Sequence, residues 1–197
     1  MGAVDNTILP TAADIEAAAK RLAGVAVRTP LINVPVLDEA IGARVFLKAE
    51  TLQRTGSFKF RGAYNKISSI PKDRRAAGVV AYSSGNHAQG VAAAARLLGM
   101  RATIVMPADA PRPKRERTLA LGAEVVLYDR NTEDRAAIAK KIVAERERAL
   151  ALGLGRICRH HDGGAHAEKA CRCRDTLGVI SARIGNDAGR PPLLRDR

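Results

Sequence analysis

The feature that most constrains this chain is an alternation that runs from residue 78 to about residue 150. Three short apolar runs, GVVAY (78–82), ATIVMP (102–107) and AEVVLY (123–128), alternate with three helix-like stretches. Those stretches are HAQGVAAAARLLG (87–99), PRPKRERTLALG (111–122) and NTEDRAAIAKKIVAERERALAL (131–152). Strands joined through helices run parallel, and a parallel sheet needs helices on its faces. The expected fold class is therefore α/β, a parallel sheet with flanking helices. Pro107 is expected to stop the second strand, Gly99 and Gly122 to end the first two helices, and Asn131 or Thr132 to cap the third.

The first 77 residues are less regular. Residues 11–24 read as a helix capped by Thr11, with Asp14 and Glu16 in its first turn. RTPLINVPVL (28–37) reads as extended and Pro-punctuated, and Arg44–Glu50 as a strand. SFKFRGAYNKISSI (57–70) reads as a helix with Ser57 as N-cap and Phe58, Ala63 and Ile67 on its buried face.

Composition excludes several function classes. The chain has 33 Lys+Arg against 20 Asp+Glu, a formal charge of +13. A nucleic-acid surface concentrates its charge and adds stacking aromatics. Here aromatics are 3%, Trp is absent, and the densest basic cluster is only Arg112, Lys114, Arg115 and Arg117. No nucleic-acid partner is expected. No run reaches the roughly 20 apolar residues of a membrane helix, and no basic-then-apolar leader opens the chain. Asn6 stands where a myristoylation motif needs Ser or Thr. The expected location is cytoplasmic, without membrane association.

Two motifs can carry chemistry. In TGSFKFRG (55–62) a lysine lies near a helix start between two phenylalanines. A desolvated amine there can form a Schiff base; the same residues also read as a solvated helix lysine beside core aromatics. In SSGNH (83–87) hydroxyls, backbone N–H groups and a helix N-terminus converge after a strand, which suits a carboxylate or phosphate. A capped polar turn reads equally well.

Taken together and in order, RTPL (28–31), FLKAETLQRTGSFKFRGAYNKI (46–67), GVVAYSSGNHAQGVAAAARLLG (78–99), ATIVMP and GAEVVLYDR (122–130) carry a resemblance. The chain resembles the pyridoxal-phosphate enzymes of the threonine dehydratase and serine racemase family, of fold type II, from about Ile8 to Glu147. The resemblance implies pyridoxal 5′-phosphate as cofactor and a small hydroxy amino acid as substrate. It implies that Lys59 binds the cofactor and shuttles the alpha proton, that Phe58 packs on its ring, and that Asn86 hydrogen-bonds its 3′-oxygen. Ser83, Gly85, Asn86 and His87 would grip the substrate carboxylate, and Ser84 would serve the opposite face of the cofactor, as in racemases. The implied reaction converts L-threonine or L-serine to a 2-oxo acid and ammonia, with hydroxyaspartate as a further substrate of the same type. Members of the family are commonly homo-oligomeric. By the same resemblance, residues 1–75 would be the first portion of a large cofactor domain and 76–147 a small α/β domain.

The resemblance fades after about residue 148. The family's later glycine run, a nest for the cofactor phosphate, has no counterpart here; Gly163-Gly164 is the only glycine pair of the tail. The switch to Arg, Cys, His and Gly is what out-of-frame translation of GC-rich DNA produces. Residues 148–197 are thus expected to be poorly ordered, without a strand, and the chain to be an incomplete, inactive piece of such an enzyme. Cys158, His160, His161, His166, Cys171 and Cys173 lack the spacing of a structural zinc site, so no metal is expected. An odd cysteine count argues against a disulfide framework.

Overall fold

The computed structural model describes residues 11–146, 150–152 and 181–183. Its helices are α1 (Ala12–Leu22), α2 (Pro35–Ile41), α3 (Lys59–Ser68), α4 (Asn86–Leu97), α5 (Arg112–Ala120) and α6 (Arg135–Glu145). Its strands are β1 (Leu31–Asn33), β2 (Arg44–Lys48), β3 (Val79–Tyr82), β4 (Ala102–Pro107), β5 (Glu124–Tyr128), β6 (Leu150–Leu152) and β7 (Ser181–Arg183). Short 3₁₀ helices cover Glu50–Leu52 and Lys72–Ala77.

The expected alternation builds a four-stranded parallel sheet in the order β5-β4-β3-β6. Val79 pairs with Ala102 and Tyr82 with Val105, while Thr103 pairs with Glu124. The chain walks from β3 outward through β4 to β5, then returns to place β6 on the other side of β3. The direction of travel therefore reverses beside β3. In open α/β sheets the crevice beyond the strand ends at such a reversal is the usual ligand site. The segment leaving β3 there is Ser83–His87. A second sheet, β1-β2-β7, is antiparallel.

Period-two alternation gives the parallel sheet its two cores. Val79 and Ala81 of β3 face α3 and α4, together with Phe60, Ala63, Ile67, Ala88, Val91, Ile104 and Met106. Val80 faces the other way with Val105 and Tyr128, under Ala139 of α6. All six residues of β4 are buried. So is α4 from His87 to Ala95, because its Ala-rich surface fits between the sheet and α3. The closest approach is at Gly90. A β-carbon there would lie 3.1 Å from the carbonyl carbon and oxygen of Lys59 and 3.2 Å from the nitrogen of Phe60.

Several local expectations need correction. Thr11 does cap α1, in a reciprocal capping box with Asp14. Ser57 does not cap α3: Phe58 holds the N-cap position with no side-chain cap, and Ser57 Oγ is buried without a partner among the described residues. Phe60, not Phe58, occupies the core beside Ala63 and Ile67, because Phe58 precedes the helix and is only half-buried. Asp134, not Asn131 or Thr132, caps α6, its side chain accepting from the Ala136 amide at 2.8 Å. Residues 129–133 instead close a turn of their own, with Asp129 accepting from the Asn131 amide and Glu133 from the Asp129 amide. The stretch read as extended includes α2, for which Pro35 supplies the fixed φ of a first helical position.

The expectation that no strand lies beyond residue 148 is also corrected by β6 and β7. Three-residue strands are too short to show alternation, and both form by backbone pairing onto edges of β3 and β2. The remainder of the tail, including all three cysteines, lies outside the described residues. Among the described residues no helix is long and apolar enough to cross a membrane, and no cluster of metal-ligating side chains occurs.

The Gly90 contact generates a prediction. Gly90→Val forces the first turn of α3 off α4, and is expected to cost about 1–3 kcal/mol, read as a lower urea midpoint. An unchanged or raised midpoint would contradict the contact.

Candidate active site

The loop at the sheet reversal is held at both ends. Ser83 N donates to the Val105 carbonyl at 3.1 Å, continuing the β3–β4 ladder by one residue. Gly85 N donates to Ser83 Oγ at 3.4 Å. Asn86 then opens α4 without a side-chain cap. The first N–H groups of a helix have no intrahelical acceptor, so this turn presents donors, reinforced by the helix dipole. Ser84 and Asn86 are exposed, and Ser83 and Gly85 half-buried.

Lys59 is the first residue of α3, half-buried, with Nζ 4.7 Å from the centroid of the Phe58 ring. Its main chain abuts α4 at Gly90, one turn beyond the loop. On the same side, His87 is 2% exposed, and neither ring nitrogen has a hydrogen-bond partner among the described residues. Burial, and then the positive charge of Lys59, push His87 down to about 4. Its imidazole is therefore a neutral interior group near physiological pH, and the solvent face of the loop is left to Ser84 and Asn86.

The start of α3 is anchored by a buried ion pair. Arg61 donates from Nη2 to Glu50 Oε1 at 2.7 Å and from Nε to Oε2 at 2.8 Å. Thr29 Oγ1 donates to Oε1, and Arg61 Nη2 also reaches the Val27 carbonyl. Burial alone would raise Glu50, but the Arg61 and Thr29 hydrogen bonds outweigh it and hold the carboxyl below its usual value. The network ties the helix bearing Lys59 to the segment before β1.

Beyond the ends of β3, β4 and β5 lies a cavity of about 60 Å³, lined by Ser83, Ser84, Pro107, Tyr128, Arg130 and Arg135. Arg130 is paired with Asp109 at 2.8 Å, and the Arg135 guanidinium lies 5.2 Å from the Tyr82 ring centroid. The fold thus gathers Ser83, Ser84, Gly85, Asn86 and His87 on one turn, and sets the backbone of Lys59 and Phe60 against the helix that follows it, with the Phe58 ring beside Lys59 Nζ. Lys59 is not on the wall of the small cavity, which holds the serines. The reading of the residues alone missed the Arg61–Glu50 pair, whose partners are eleven residues apart. It also missed Gly90, for which an isolated glycine within an Ala-rich helix was the available signal.

Comparison with known proteins follows from this geometry. The family described as "Pyridoxal-phosphate dependent enzyme" matches residues 22–159, past the expected limit at Glu147. An L-threo-3-hydroxyaspartate ammonia-lyase of a Pseudomonas species is 58% identical over 67% of this chain and 41% of its own length. The L-threonine ammonia-lyase of Thermotoga maritima is 49% identical over 71% of this chain and 35% of its own. The structure of maize serine racemase superposes with a TM-score of 0.66 at 38% identity, over 69% of this chain and 41% of the other. The chain spans about two-fifths of the length of these relatives.

The buried imidazole fixes a pH dependence. The unfolded chain protonates His87 near its ordinary 6.5 and the folded chain only near 4. Stability is thus complete above pH 6.5 and falls as the pH drops from 6.5 towards 4, because only the unfolded state takes up the proton. The loss over that window is expected to reach about 3 kcal/mol. His87→Leu should flatten the slope in urea titrations between these pH values; an equal slope would contradict a buried neutral imidazole.

Proposed function

Because the chain belongs to the pyridoxal-phosphate-dependent enzymes, we propose that it carries the lysine-bearing part of an ammonia-lyase for β-hydroxy amino acids. L-Threonine and L-serine are the substrates first in view, and the similarity to a hydroxyaspartate ammonia-lyase adds a third. The single observation that supports the reading most is the seating of Lys59 against the helix whose N-terminus forms the SSGNH turn.

The residues suit the cofactor at its reactive end. Lys59 offers an amine beside the Phe58 ring. Just before it, Thr55 Oγ1 and Ser57 Oγ are buried without partners among the described residues. Buried hydroxyls are normally hydrogen-bonded, so two orphans beside one lysine mark a place built for a polar group. Asn86, exposed on the neighbouring helix end, would hold an oxygen of the ring. When bound, pyridoxal phosphate supplies the electron sink that makes the alpha proton of an amino acid removable.

In this reading Lys59 holds the cofactor and then takes the alpha proton on Nζ. Ser83, Gly85, Asn86 and the backbone at His87 hold the substrate carboxylate, using N–H groups at the α4 N-terminus. Ser84 faces the opposite side. The substrate loses its alpha proton and its beta hydroxyl, together one water. The resulting enamine rearranges and is hydrolysed to a 2-oxo acid and ammonia. In the same reading, residues up to about 75 belong to the cofactor domain and 76–147 to a smaller one.

The test is 2-oxobutanoate formation from L-threonine with excess cofactor. The sequence past residue 147 holds no glycine run to bind the phosphate, so the 197-residue chain itself is expected to give little or none. A chimera continuing from residue 147 with the Thermotoga relative's sequence is expected to turn over in the usual range of about 1–10³ per second. Lys59→Ala in that chimera should abolish activity. A chimera that folds, keeps Lys59 and stays inactive would contradict the proposal.

A further inference from the structure

The basic cluster set aside as a nucleic-acid feature reappears at the site. Lys114 lies in the first turn of α5, and its Nζ stands 3.6 Å from the point a β-carbon would occupy on Gly85. Its backbone is fixed: Lys114 N donates to the Pro111 carbonyl at 2.9 Å, and the Lys114 carbonyl accepts from the fully buried Thr118 Oγ1 at 2.8 Å. Its side chain is exposed. Among the described residues it has no carboxylate partner, whereas its neighbour Arg112 is paired with Glu116 at 2.6 Å.

Helix stability does not account for a lysine at this position. The first turn of α5 holds no acidic residue, and cations there oppose the dipole. The SSGNH turn, at the N-terminus of α4, lies beside Lys114 Nζ. A cation beside a helix N-terminus is favoured by an anion bound next to both. One carboxylate is already assigned to the N–H groups of the turn, so a further cation at its edge fits a second negative group on the same molecule.

We propose that Lys114 is a specificity-determining residue that reads the second carboxylate of a dicarboxylic hydroxy amino acid, hydroxyaspartate, bound at the Ser83–His87 turn. The inference rests on the reading of that turn as the carboxylate site. The two carboxyl groups of hydroxyaspartate are three carbon–carbon bonds apart, so a molecule held by one at Gly85 brings the other to its edge. L-Threonine carries a methyl group there and gains nothing from Lys114.

The experiment follows the Gly85 and Asn86 amide resonances of the ¹⁵N-labelled 197-residue chain. It is titrated separately with L-threo-3-hydroxyaspartate and with L-threonine. The unaltered chain is expected to bind hydroxyaspartate more tightly, with an advantage that shrinks as salt is added. Lys114→Gln should weaken hydroxyaspartate about tenfold more than threonine, the scale of one charge-assisted hydrogen bond, and Lys114→Arg should restore most of the difference. Shifts with both ligands and a ratio indifferent to Lys114→Gln would overturn this inference alone. No shift with either ligand would overturn the carboxylate reading of the turn, and this inference with it.

Discussion

The site depends on how closely α4 lies against the first turn of α3. At Gly90 the two backbones meet at a distance that leaves no room for a β-carbon. Gly90 is one helical turn from Asn86, so the same contact that packs the helices sets Lys59 beside the SSGNH turn. The alanines around it extend the fit, and α4 is buried along most of its length as a result. Packing of this density transmits small changes in volume, so the position of the lysine is a property of the core rather than of a loop.

Two buried ionisable groups near this contact are managed in opposite ways. Glu50 stays ionised because Arg61 and Thr29 satisfy its oxygens, which anchors α3 to the segment before β1. His87 has no such partner among the described residues and stays neutral. At the mouth of the turn the charges are exposed and positive, from Lys114 and from the ends of α4 and α5. The interior therefore fixes geometry at low net charge, and the surface around the turn is positive.

Much of this was legible in the residues. The strands at 79–82, 102–107 and 124–128 fell where apolar runs predicted them, because a sheet covered on both faces needs continuous hydrophobicity. The motif at 83–87 and its place after a strand were equally readable. The reversal that makes the end of β3 special was not, since it depends on β6, whose three residues carry no pattern. Ser57 was misread as a cap for an instructive reason. A serine before a helix usually serves the backbone; here its hydroxyl is buried without a partner among the described residues, two positions before Lys59. Lys114 was visible only as part of a charge cluster, because its place beside Gly85 comes from α5 lying against the turn after β3.

The central claim is that the fold singles out Lys59 from the nine lysines of the chain. Borohydride reduction after incubation with pyridoxal phosphate, followed by peptide mass mapping, tests it most directly. The account predicts that at low cofactor excess the pyridoxyl label is concentrated on Lys59 and is lost from that peptide when the chain is unfolded in urea before mixing. A label spread evenly over the lysines, or unchanged by unfolding, would contradict it.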